Sequence, residues 1–190
     1  MKRGFLMLLT AAMLLSFYGC RPSGLHAGST TTATTAATTE ATVPLPDRPE
    51  KIQLEFFLEG MAEYQDATLF IGDGYSLYIT EDSWVTAPGE NGAMTWTSSY
   101  NPSITLTVIP HAGGTFEQAK DALFAGLTVS EPDGEYVYGY AEDHDFYKAA
   151  RLIETREGIL AAVWCYTLEA TEGFGVRLRG MAATLEATAE

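Results

Sequence analysis

The sequence predicts an α+β fold: an antiparallel sheet with two helices packed on one of its faces, a two-layer sandwich. Three observations predict it. Between about residue 51 and residue 109, apolar residues repeatedly fall at every second position, the spacing of strands buried on one side. The strands join through short turns, which demands antiparallel pairing, since parallel strands need a long crossover. Two stretches, one opening at Thr115 and one at about residue 171, repeat instead at helical spacing, and two amphipathic helices need a sheet face to bury against.

Each element follows in order. "KIQLEFFLEGM" places Ile52, Leu54, Phe56 and Leu58 on one side of a strand. "ATLFI", residues 67–71, is a second strand, and Gly72-Asp73-Gly74 turns the chain into "YSLYI", where Tyr75, Leu77 and Ile79 alternate. "AMTWTSS" alternates Met94 and Trp96 with threonines, and "ITLTVI" does the same with Ile104, Leu106 and Val108. The period then changes. Thr115 and Gln118 form a T-x-x-Q capping box, Phe116, Ala119, Leu123 and Leu127 line one helical face, and Gly126 marks the stop. "EYVYGY" carries Tyr136, Tyr138 and Tyr140 on one side of the next strand. "FYKAARLIET" and "GILAAVWCYTLEA" form a hairpin across Arg156-Glu157-Gly158. A last helix, about 171–187, carries Phe174, Leu178, Met181 and Leu185.

At "GDGYSLYITEDSW" the chain resembles the PsbP-like group, in which a Gly-Tyr/Phe-Ser strand leads to a Pro-x-x-Trp turn. Gly74, Tyr75, Ser76 and Trp84 carry the resemblance, which runs in element order over about residues 67–186. Thr80 stands where the group often has proline. The resemblance implies a curved antiparallel sheet. The group spans photosystem subunits, a nuclear-transport regulator and bacterial lipoproteins, so it implies no particular activity and no site residues.

Residues 1–19 read as a secretory leader: Lys2 and Arg3, then the apolar run "GFLMLLTAAMLLSFYG". As a helix this run reaches about 24 Å, short of a hydrocarbon core of about 30 Å. Phe17-Tyr18-Gly19-Cys20 resembles the lipobox of bacterial type II signals, with Gly19 and Cys20 in place and Phe17 and Tyr18 bulkier than usual. The resemblance implies cleavage before Cys20 and acyl chains such as palmitate carried on the new N-terminal cysteine, which anchor a protein when two or more insert. The alternative is a plain leader with an incidental cysteine. Residues 20–50 follow as a Thr/Ala tract and then Pro44, Pro46 and Pro49, too poor in large apolar residues to fold alone, hence a flexible linker. Residues 51–190 are then a single domain, long enough for a proper core.

The chain carries 11 Lys and Arg against 25 Asp and Glu. The first fifty residues hold four basic and three acidic side chains, which leaves 7 against 22 in the domain. An acidic domain repels phosphate backbones, so nucleic acid is excluded as a partner. Cys165 lies in the dense apolar run "ILAAVWCYTL" and reads as a buried, inert thiol.

Catalytic and metal motifs are sparse. There is no H-E-x-x-H, C-x-x-C, G-x-S-x-G or P-loop spacing. The strongest oxygen-rich cluster is Glu142, Asp143, His144 and Asp145 between two strands, which either holds a hard cation or is a solvated turn. The tyrosines and tryptophans either fill the core or mark a binding surface on the open sheet face. The sequence therefore predicts a lipid-anchored, extracytoplasmic envelope module without catalytic activity or cofactor. Its expected partners are the membrane, through Cys20, and a protein or envelope polymer. The alternatives are a small-ligand or cation binder, and an enzyme of unrecognised type.

Overall fold

The structure, a computed structural model, describes residues 47–82, 84–142 and 145–188. The leader, Cys20 and the Thr/Ala tract lie outside them, as do Asp143 and His144. The described residues form an α+β fold, mostly sheet, with two α-helices. No helix among them is long and apolar enough to cross a membrane.

The strands divide between two antiparallel sheets. The first contains β1 (Lys51–Leu58), β2 (Met61–Ile71), β3 (Tyr75–Thr80) and β11 (Glu186–Ala187), in the order β1-β2-β3-β11. The second contains β4 (Trp84–Pro88), β5 (Met94–Ser98), β6 (Thr105–Ile109), β7 (Thr128–Val129), β8 (Tyr136–Tyr140), β9 (Phe146–Thr155) and β10 (Gly158–Thr167), in the order β4-β5-β6-β10-β9-β8-β7. The alternation in β1 is as expected, with Phe56 buried and Lys51, Gln53 and Glu55 exposed. β2 runs six residues further back than the strand expected at 67–71.

Helix α1 (Phe116–Leu123) starts where the capping residues place it: the Thr115 hydroxyl accepts from the Gln118 amide at 3.3 Å. It presses Ala119, with Phe124 just beyond its end, onto Val137, Ala150, Leu152, Ile159, Ala161 and Val163. Helix α2 (Val176–Ala183) presses Leu178, Met181 and Ala182 onto a cluster containing Leu106, Val108, Ala149, Ala162 and Trp164, with Tyr75 and Leu77 of the smaller sheet.

Those two sets of β10 residues alternate, so the helices pack on opposite faces of the seven-stranded sheet. This corrects the expectation that both cover one face. The reason lies in β10 itself. Ile159 to Trp164 are all buried, and a central strand can bury both sides only if something covers each. The last helix is also shorter than expected. Residues Thr171–Gly175 form a π turn, α2 ends at Ala183, and the chain then returns to pair Glu186 and Ala187 with β3.

Among the described residues, packing begins at Arg48, within the segment assigned to the linker. Its guanidinium donates to Ser76 Oγ and to the Thr184 carbonyl, each at 2.9 Å, and lies 4.5 Å from the Tyr78 ring centre. The Tyr78 hydroxyl in turn donates to the Pro49 carbonyl at 2.7 Å.

Candidate functional site

Two surfaces combine features that core packing does not account for. The first is the β1–β2 hairpin. Glu59 and Gly60 take φ of 51° and 80°, the positive values a two-residue hairpin turn demands. β3 pairs with β2 only from Ala67 onward, so Met61–Gln65 pair as a strand with β1 alone. A two-stranded ribbon therefore extends past the sheet. Its inner face rests on α2. Phe56 is buried there, and Glu63 accepts from Arg177 Nη2 and from Gln65 Nε2, each at 2.7 Å. Its outer face carries Phe57 and Tyr64, 65% and 59% exposed, and Met61, which pairs with Leu58 beside the turn, is 69% exposed at the tip. The Tyr64 hydroxyl donates to Glu55 at 2.6 Å, which fixes the ring and pushes the phenol's pKa above its ordinary value.

The second surface is a groove of about 660 Å³ where several loops converge. Asp73 comes from the β2–β3 turn, Asn91 from the turn before β5, and His111 from the β6–α1 loop. Arg156 and Glu157 come from the β9–β10 turn, and Thr188 from beyond β11. His111 Nδ1 donates to the Glu157 carbonyl at 3.1 Å, and Nε2 lies 3.3 Å from the Glu157 carboxylate. His111 and Asn91 both hold left-handed backbone, with φ of 57° and 52°, a conformation non-glycine residues adopt at a cost. Arg156 is exposed and forms no ion pair among the described residues. These groups offer donors and acceptors to a small polar molecule.

The sequence-predicted positions are distributed differently. Glu142 and Asp145 flank the β8–β9 turn and line neither surface, and the rest of that cluster is outside the described residues. Among the described residues no group of three His, Cys, Asp or Glu side chains could hold a metal ion. Cys165 is a free thiol, half-buried, and burial pushes its pKa up, partly offset by Thr105 and Lys148. Many of the aromatics pack inward: Tyr136 and Tyr138 each meet Trp164 edge-on at 6.5 Å on the face that α2 covers. Tyr147 and Tyr166 stack at 5.5 Å. The open face expected to present them is thus largely covered.

Sequence reasoning passed over the hairpin tip, although a signal existed. In "EFFLEGM" two adjacent phenylalanines must point to opposite faces of a strand, so one of them had to face outward.

No curated protein matches the chain. Its fold is similar to the solution structure of cyanobacterial PsbP (CyanoP) from Synechocystis sp. PCC 6803, at 11% identity and a TM-score of 0.41, over 60% of this chain and 87% of that one. Residues 48–158 match the family described as "Domain of unknown function (DUF8580)", and the chain belongs to that family.

Proposed function

We propose that the chain is a bacterial envelope lipoprotein, anchored at Cys20, whose extracytoplasmic domain is a non-catalytic module that binds a protein partner. One observation carries the binding role: Phe57 and Tyr64 stand exposed on one face of a ribbon that projects past its sheet, with Met61 exposed at its tip. Large exposed apolar groups gathered at one place mark interaction sites. The leader, the cysteine and the linker support the anchor.

Two measurements test this reading. Cys20→Ala should move the protein from the membrane fraction to a soluble pool; unchanged membrane association sinks the lipoprotein assignment. A photoreactive phenylalanine analogue in place of Phe57, in cells producing the full chain, should yield a discrete adduct. Illumination without an adduct sinks the binding role of the tip.

A second reading rests on the loop groove, whose left-handed His111 and exposed Arg156 fit a small polar ligand. Thermal-shift measurements across amino acids, sugars and divalent cations test it, with Arg156→Ala as the control.

A further inference from the structure

Positive charge is segregated along this chain. From residue 52 to residue 119 there is no Lys or Arg, while nine Asp and Glu occur, and His111 is the one other ionisable base. Apart from Lys51 at its start, the hairpin lies within that stretch. Glu63 is neutralised by Arg177 on its inner face, and Lys51 is taken by Glu81 at 2.6 Å. Glu55, Glu59 and Asp66 form no ion pair among the described residues. Glu55 accepts from Tyr64 and Asp66 from Gln53, neutral donors that bring no positive charge to either.

The tip is therefore an apolar centre within an acidic rim. Phe57 pairs across the ribbon with Ala62, and Tyr64 with Glu55. This puts Phe57 and Tyr64 diagonally adjacent on the outer face, within reach of a common contact. The hydrogen bond to Glu55 holds the Tyr64 ring in place before any partner arrives, which lowers the ordering cost of binding.

The rim selects the occupant. A second copy brings the same carboxylates, and like charges facing each other oppose association. An anionic bilayer and a nucleic acid are repelled for the same reason. Building on the binding role proposed above, we infer that the hairpin tip docks a basic protein segment: an apolar socket for Phe57 and Tyr64, flanked by Lys or Arg that face Glu55, Glu59 and Asp66. Complementary charge of this kind speeds encounter and excludes wrong partners, while the aromatic anchor supplies the hold.

The test uses the full chain carrying Cys20→Ala, so that no acyl group contributes. The probes are a synthetic peptide alternating Lys with Phe, an all-Lys peptide of equal charge, and a Glu/Phe counterpart. The Lys/Phe peptide should bind at least tenfold more tightly than the other two. Glu55→Lys with Glu59→Lys and Asp66→Lys should weaken it at least tenfold, and Phe57→Ser with Tyr64→Ser by a similar factor. Reversal of Glu131, Asp133 and Glu154, which lie elsewhere, should change it less than twofold. Equal losses from both reversal sets mean unspecific attraction and overturn the inference. So does sedimentation with phosphatidylglycerol vesicles, or dimerisation abolished by Phe57→Ser. In cells, a Phe57 adduct indifferent to the rim reversal overturns the basic partner but leaves the binding role standing. No adduct removes both. Circular dichroism of each variant separates lost binding from lost folding.

Discussion

Phe56 of β1 packs its ring into the notch left by Gly180 of α2: a β-carbon at Gly180 would stand 2.4 Å from Phe56 Cε1. This contact, with the Glu63–Arg177 pair beside it, seats the inner face of the hairpin on the helix and leaves the outer face free. Gly180→Ala should gain about 1 kcal/mol in helix propensity and lose about 1–3 kcal/mol to overpacking. We expect net destabilisation in urea unfolding. Phe56→Leu in the same background should recover part of it, because the two positions share one contact. Additive effects would show that the helix and hairpin do not meet as described.

Arg48 joins three parts of the domain through Ser76, Thr184 and Tyr78. Its side chain is 12% exposed. Removing it strands buried acceptors, each worth about 1–3 kcal/mol when left unmade. Arg48→Ala should therefore lower the unfolding midpoint by an amount equivalent to about 2–3 kcal/mol. Arg48→Lys should recover less than half, since an ammonium cannot reproduce the planar fork. A chain truncated to begin at Lys51 should be less stable than one beginning at Asp47; equal midpoints would return Arg48 to the linker.

The Tyr75 hydroxyl is buried with no hydrogen-bond partner among the described residues. Burial, with Asp73 nearby, pushes its pKa up to about 12. Tyr75→Phe removes the orphaned group and should leave stability unchanged or raise it by about 1 kcal/mol at pH 7. The pH dependence has a definite sign. Below about pH 10 both states keep the proton. Between there and pH 12 the unfolded chain releases it while the folded domain does not, so the folded state loses ground. The wild-type chain should weaken faster than Tyr75→Phe over this interval in pH-dependent melts.

Cys165 should react slowly. Thiolate is the reactive form, and burial disfavours it. Iodoacetamide at pH 8 should label native protein at least tenfold more slowly than urea-unfolded protein, followed by mass spectrometry. Equal rates would contradict a thiol shielded between β6 and β9.

The alternation in β1 and β6, the cap at Thr115 and the β9–β10 hairpin were readable because each is a local pattern whose period or turn chemistry sets the backbone directly. The N-terminal half of β2 was not, because its inward-facing Glu63 and Gln65 are polar and acquire a reason to point inward only when Arg177 arrives from α2. The groove was hidden for the same reason: Asp73, His111, Arg156 and Thr188 are brought together by the ends of separate strands.

The sequence by itself determined the α+β class, most strand positions and the acidic character of the domain. These depend on periodicity and composition, which act within a few residues. The tertiary structure decided the division into two sheets, the placement of the helices on opposite faces, and what covers Phe56 while leaving Phe57 bare. Those outcomes depend on what covers each face of a strand. Phe56 is buried because Gly180 leaves room for it, whereas nothing among the described residues covers Phe57, which remains 65% exposed.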